Sequence, residues 1–234
     1  MVIFLSLVLE LVIRGAELFL QSKNMEDIYI FGASGYARET ALINQEIGKY
    51  TLKAFVDKEN TGISLKIKNQ SFPVISENEF IGLCSDEKQN AIIAISAPKV
   101  VQKIISRFKS KCFFPNLIHP SAIISGEISL GIGNIITYNC SFTDNITIGS
   151  FNRFNIGVTV GHDVIIGNNN QFNPSCNISG NIEIGDNDFF GVNSVILQGV
   201  KISDNIVIGA SSLVIRNITK PGTYVGAPAS ELLC

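Results

Sequence analysis

FTDNITIGSFNRFNIGVTVGHDVIIG, residues 142–167, puts a large apolar side chain at Phe142, Ile148, Phe154, Val160 and Ile166, one every six residues. The same step runs back through Ile136, Leu130 and Ile124 to Ile118. It runs forward through Phe172, Ile178, Ile184, Phe190, Ile196, Ile202 and Ile208 to Val214. With 46% of the chain hydrophobic, chance does not produce so long an unbroken series, and neither a helical nor a simple alternating period generates it. Period six is the mark of a parallel β-helix, in which three short strands close a triangular coil and successive coils stack.

Three hexads per coil demand a second period of eighteen, and the residue four places after each anchor tests for it. One face reads Ile128, Ile146, Val164, Ile182, Val200 and Ile218, all β-branched. A second reads Ala122, Cys140, Val158, Cys176, Ser194 and Ser212, all small. The third reads Asn134, Asn152, Asn170 and Asp188, a polar ladder, preceded by Gly131, Gly149, Gly167 and Gly185, where the chain is expected to turn. Cys140 and Cys176, two coils apart, are too distant for a disulfide and read as core. No insertion breaks the register from His119 to Val214, so a protruding loop is not expected.

Upstream, from Asp27, strands and helices alternate. Ile28–Phe31 reads as a buried strand running into Gly32-Ala-Ser34-Gly35-Tyr36-Ala37, which opens a helix. Gly32 permits a tight turn, Gly35 lets a ligand approach the backbone, and free amides at the helix start attract an anion. Ala37 replaces the third glycine of a full dinucleotide fingerprint, and a tight turn without a ligand is the alternative reading. A second strand, Leu52–Val56, ends in Asp57, where an acid commonly meets a ribose or base. Ser76-x-x-Glu79 reads as a capping box, 90–95 as a third strand, and 98–109 as a helix with Val101, Ile104, Ile105 and Phe108 inward. This unit has room for one nucleotide rather than for NAD and a catalytic apparatus.

The expected organisation is therefore α/β plus all-β. Residues 1–24 form an apolar extension, 25–115 a small Rossmann-like nucleotide-sugar-binding domain, and 116–234 a left-handed parallel β-helix, with Phe113–Pro120 as linker. Within the extension, Glu10, Arg14 and Glu17 interrupt the apolar run before it can span a bilayer, and no signal-peptide pattern is present. Met25 makes a mis-assigned start or a dispensable segment the plain reading; an amphipathic helix lying on a membrane or partner through residues 1–20 is the alternative. A net charge of -2 gives no footprint for nucleic acid. Five cysteines without a C-x-x-C pair argue against a disulfide framework and a zinc site, and fit the cytoplasm.

The glycine turn G-A-S-G-Y, then L-I-H-P-S-A at 117–122, the hexapeptide repeats, Val160-Gly-His162-Asp163-Val-Ile-Ile-Gly167 and the closing Pro221-Gly-Thr-Tyr-Val-Gly-Ala-Pro228 together resemble the sugar O- and N-acyltransferases of the sialic acid O-acetyltransferase type, which include bacterial nucleotide-aminosugar N-acetyltransferases. The resemblance runs from Met25 onward. It implies an acetyl-CoA co-substrate bound between adjacent β-helices of a homotrimer, no metal, and a nucleotide-sugar held by the N-terminal domain through Gly32, Ser34, Gly35, Tyr36 and Asp57. His162 is implied as catalytic base with Asp163 fixing its tautomer, and Gly180, Gln171, Val192 and Ala210 as cofactor-binding. Gln171 stands where the family often has a second histidine, Tyr36 where histidine is frequent, and Lys58 where a second acid is common.

The residues themselves agree on His162. It is one of two histidines, at an outward corner where the equivalent hexads carry Gly126, Asp144, Gly180 and Gln198, so packing does not require it. An imidazole, with a side-chain pKa of about 6.5, can accept a proton from a nucleophile adding to a thioester. His119, before Pro120, reads as structural. A γ-type carbonic anhydrase needs three histidines for zinc, and a nucleotidyltransferase fused to a β-helix needs a larger N-terminal domain. Acetyl transfer to the amine or hydroxyl of a sugar is the expected activity. Sialic acid O-acetylation and a non-catalytic, nucleotide-sugar-binding trimer are the alternatives.

Overall fold

Glu26–Phe31 (β1) lies between Tyr50–Val56 (β2) and Gln89–Ile93 (β5) in the N-terminal sheet, paired in parallel with both. The computed structural model describes residues 25–85 and 87–232, so the expectations for residues 1–24 fall outside the described residues. Ser64–Ile67 (β3), Gln70–Ile75 (β4) and Cys112–Phe113 (β6) complete the order β3-β4-β2-β1-β5-β6. The segment expected as a third strand is thus the fifth, because the hairpin β3–β4 intervenes, closing through Lys68 at φ 51°. Helix α1 (Gly35–Ile47) covers one face; α2 (Glu77–Leu83) and α3 (Pro98–Phe108) cover the other. The crossover through α1 leads to β2 on one side of β1 and the one from β4 through α2 leads to β5 on the other, so a crevice opens at the carboxyl ends of β1, β2 and β5, as the doubly wound topology dictates. The capping box forms as expected: the Glu79 carboxylate accepts from the Ser76 amide at 2.7 Å, and the Ser76 hydroxyl accepts from the Glu79 amide at 3.2 Å.

From Leu117 the chain winds a left-handed parallel β-helix with three sheets of eight, six and five strands. Partners lie eighteen residues apart, as in Ile136↔Phe154, Phe142↔Val160 and Ile148↔Ile166. The anchors point inward; Phe154, Phe172 and Phe190 stack ring on ring with centroids 4.7 Å apart. After Val214 the spacing drops to sixteen, with Ile202↔Ile218 and Ile208↔Tyr224, so Ile218 joins the core one coil on from Ile202. The two domains share apolar core: Leu117 and Ile135 of the first coils pack with Ala37 and Ala41 of α1.

The corners turn on residues other than the expected glycines. Left-handed φ falls at 145, 163, 181 and 199 on one edge, at 139, 157, 175, 193 and 211 on a second, and at 133, 151, 169, 187 and 205 on the third. Asparagine, the non-glycine residue best suited to that region, fills half of them, which helps explain the asparagine-rich sequence. Gly131, Gly149, Gly167 and Gly185 are needed for close stacking instead. A Cβ on Gly149 would lie 2.6 Å from the Gly167 carbonyl oxygen of the next coil.

The polar ladder is continuous. Asn134, Asn152 and Asn170 each accept the amide of the next rung on Oδ1 at 2.7–2.9 Å, and donate from Nδ2 to Gly149, Gly167 and Gly185 carbonyls at 2.8–3.0 Å. Asp188 continues it by accepting from Ile206 N at 2.7 Å, but its Oδ2 is buried without a partner where an asparagine would donate. Burial is the main reason its pKa rises from 3.8 to about 8, and the charges of Asp204 and Asp186 add to the effect. A carboxyl whose folded pKa exceeds its unfolded one binds extra protons when folded, so stability falls as pH rises from about 4 through about 8. Asp188→Asn is therefore expected to raise the unfolding midpoint, with a gain that grows across that pH window and then levels off; thermal melts of both proteins at several pH values check this.

Candidate active site

His162 stands at the edge between the sheet containing Thr159–Val160 and the one containing Val164–Ile166, with its side chain 59% exposed. Asp163 follows in the left-handed region, φ 57°, which folds its carboxylate back onto the preceding ring: Nδ1 of His162 lies 2.7 Å from Oδ2 of Asp163. Oδ1 of Asp163 accepts from Nδ2 of Asn145 at 2.6 Å, from the same corner one coil earlier. The His162 hydrogen bond, followed by that of Asn145, holds the Asp163 carboxyl below the usual range. An ionised carboxylate only accepts, so Nδ1 carries the proton and Nε2 keeps its lone pair.

Nε2 faces the next coil. A Cβ built on Gly180 would lie 2.7 Å from Nε2 and 2.9 Å from Cε1 of His162, so the ring occupies the volume that any other residue there would claim. The Gly180 amide, at an outward corner, makes no hydrogen bond among the described residues. A proton acceptor and a free backbone donor thus adjoin on one prism edge, the pairing that addition to a carbonyl requires.

Val192 and Ala210 sit elsewhere, exposed and one coil apart on the edge that follows the sheet of Phe190 and Ile208. Gln171 is 3% exposed on the outer face of that sheet, with Nε2 3.5 Å from Oδ1 of Asn173 and Oε1 without a partner. Within one chain, therefore, His162 and Gly180 come together, while Gln171, Val192 and Ala210 do not join them.

In the N-terminal domain a cavity of about 480 Å³ opens at the strand ends, lined by Phe31, Asp57, Ile95, Lys103 and Arg107 among others. Asp57 Oδ1 accepts from the amides of Glu59 and Asn60 at 2.9 and 3.0 Å, so one oxygen shapes the turn and the other makes no hydrogen bond among the described residues. Gly32 takes φ 105°, and a Cβ there would meet the Ala94 carbonyl oxygen at 2.9 Å. Gly35 faces open space at the start of α1. Ser34 is the N-cap of α1 without a side-chain cap bond, and Tyr36 is half-buried in its first turn.

His119 differs from His162 in every respect. It is buried, Nδ1 accepts from the Ser121 amide at 3.1 Å, and Nε2 donates to Glu46 of α1 at 3.0 Å, which ties the two domains. Sequence reasoning missed Arg153, fully buried between the domains, and Asn169, which binds the Pro98 carbonyl at 3.1 Å. Nothing local marks either, because their burial arises only when the domains dock.

Residues 27–108 match the family described as the PglD N-terminal domain, and residues 181–214 match the hexapeptide repeat of succinyl-transferase. Two matched segments thus put a PglD-type N-terminal domain ahead of hexapeptide repeats in one chain. Among solved structures, WeeI from Acinetobacter baumannii AYE is 26% identical, with a TM-score of 0.77 over 89% of this chain and 100% of that one. A perosamine N-acetyltransferase from Caulobacter crescentus, solved with CoA and GDP-perosamine, is 23% identical, with a TM-score of 0.81 over 89% of this chain and 97% of that one. The acetyltransferase domain of PglB from Neisseria gonorrhoeae FA1090, solved with acetyl coenzyme A, is 21% identical, with a TM-score of 0.80 over 89% and 100%. No curated protein sequence matches the chain.

The contact between His162 and Gly180 is open to a direct test. The three atoms nearest to a Cβ on Gly180 belong to the exposed ring of His162, so Gly180→Ala is expected to displace the ring and leave the coil intact. Turnover is expected to fall by about 10²-fold, the scale for misplacing a reacting group by roughly 1 Å. The unfolding midpoint is expected to stay where it is; steady-state kinetics beside a thermal melt measures both.

Proposed function

We propose that this chain transfers the acetyl group of acetyl-CoA to the amine of a nucleotide-linked aminosugar. The observation that carries the reading is the His162 ring, with Nδ1 engaged by Asp163 and Nε2 free above Gly180. Related structures solved with CoA, acetyl coenzyme A and GDP-perosamine support the donor and the class of acceptor.

The amine nitrogen attacks the thioester carbonyl and a C–N bond forms while Nε2 of His162 takes the amine's proton. The Asp163 carboxylate stabilises the imidazolium this creates. Negative charge gathers on the carbonyl oxygen, where the Gly180 N–H meets it. The C–S bond then breaks, and the proton on Nε2 passes to the departing sulfur. The nucleotide occupies the cavity at the strand ends, with the free oxygen of Asp57 on the ribose or base.

A donor that touched Val192 and Ala210 while presenting its thioester to His162 would contact two different prism edges. Those edges must then come from two copies of the chain, which supports a homotrimer with the site between subunits. Among the described residues there is no group of His, Cys, Asp or Glu that could hold a metal ion, and no helix long and apolar enough to cross a membrane. The donor and the free cysteines Cys84, Cys112, Cys140 and Cys176 fit a cytoplasmic reaction.

Thiol release from acetyl-CoA, followed over a panel of nucleotide-linked aminosugars and sialic acids, tests the reading. Release with an aminosugar is expected, and His162→Ala is expected to lower kcat by roughly 10²–10⁴-fold. Release with hydroxyl acceptors only would replace the amine reading. A loss of less than about tenfold in the variant would remove His162 from proton transfer.

A further inference from the structure

Arg153 heads the fully buried side chains by size and is 1% exposed. It leaves the outer face of the β-helix beside Phe154 and reaches into the junction with the N-terminal domain. Nη1 donates to the Ile95 carbonyl at 2.8 Å, and Nη2 to Oδ1 and the carbonyl of Asn169 at 3.1 and 3.3 Å. Nε is buried without a partner. All these acceptors are neutral, and Arg153 makes no salt bridge among the described residues. A guanidinium buried without a counter-charge is costly, and the equivalent positions of the adjacent coils hold Ile135 and Gln171, so the fold does not ask for a cation there. Burial lowers its pKa to about 10, which still leaves it charged near neutrality.

Ile95 links that charge to the glycine turn. Ile95, whose carbonyl Arg153 holds, lines the cavity, and its Cγ1 lies 3.0 Å from where a Cβ of Gly32 would stand. Tyr36 is close enough for the guanidinium to act on it: burial drives the tyrosine's pKa up, and Arg153 opposes that rise. The thirteen-residue helix α1 begins at Gly35 with no side-chain cap and no acid in its first turn, so its end is positive and uncompensated. Two sources of positive potential, one a buried side chain and the other a helix end, converge on Gly32–Tyr36.

We propose that the missing counter-charge arrives with the substrate, as the diphosphate of the nucleotide-sugar lying on the Gly32–Tyr36 turn. This rests on the nucleotide-sugar reading above and adds a residue from the β-helix to it. Arg153 is then a positioning residue that acts through the turn, and its field is little screened because water is excluded around it.

Calorimetric titration of UDP, GDP, uridine, guanosine and CoA into wild type, Arg153→Gln and Arg153→Lys tests this. Gln keeps a donor for Ile95 without the charge; Lys keeps the charge without the fork. In Arg153→Gln the affinity for the preferred diphosphate is expected to fall at least about tenfold, with nucleoside and CoA affinities unchanged, and Arg153→Lys is expected to recover most of the loss. A purely structural arginine would weaken nucleoside and diphosphate alike. An unchanged diphosphate-to-nucleoside ratio in Arg153→Gln overturns the role of Arg153 while leaving nucleotide binding in place. Wild-type protein that binds neither diphosphate overturns the functional reading and this inference with it. Inorganic pyrophosphate competing against the preferred diphosphate on wild type needs no variant: displacement is expected, and none at millimolar pyrophosphate counts against the turn as the anion's seat.

Discussion

Each asparagine of the 134, 152 and 170 series joins two coils at once, accepting an amide from the rung eighteen residues on and donating to a carbonyl fifteen residues on. Both bonds are inside the prism, where an unmade one costs about 1–3 kcal/mol, so the ladder fixes the length of the coils it spans. An inserted or deleted residue would break two hydrogen bonds and turn an anchor outward together. This is why the register runs unbroken to Val214 and why residues eighteen apart can be relied on to stack. The site inherits that reliability. His162 lies over Gly180, and Asn145 reaches Asp163, because the coils spanned by the ladder keep a spacing of eighteen.

The edges can present side chains in a way that the faces cannot. Face residues are committed to pairing and packing, whereas a corner residue in the left-handed region has its side chain free and its neighbours' amides turned outward. Half of the corners hold asparagine. At 162–163 the same geometry holds an imidazole and a carboxylate side by side, 2.7 Å apart, without any support from the core. A rigid scaffold carrying an exposed pair at a corner combines fixed orientation with access for a large thioester.

The β-helix was legible because its physics is periodic: each anchor from Ile118 to Val214 contributes the same information, and the small and β-branched faces repeat it. The capping box at Ser76 and Glu79 was legible for the opposite reason, being wholly local. Features between those limits were not. The β3–β4 hairpin turns on Lys68 and Asn69 and carries Pro73 in a strand, so no turn dipeptide or clean alternation announces it. The corner glycines were found for the wrong reason, since the demand on them comes from the coil above rather than from their own φ. Arg153 reads in sequence as an exposed charge on an outward position, and only docking of the N-terminal domain buries it.

The account turns on which nitrogen of His162 is free. With two histidines in the chain, long-range proton–nitrogen correlation spectra of ¹⁵N-histidine-labelled protein, held at a pH where both rings are neutral, resolve the tautomers, and His119→Gln assigns them. The structure requires opposite states: His162 protonated on Nδ1 through Asp163, and His119 protonated on Nε2 through Glu46. Finding His162 with its proton on Nε2 would leave no lone pair above Gly180 and would contradict the account.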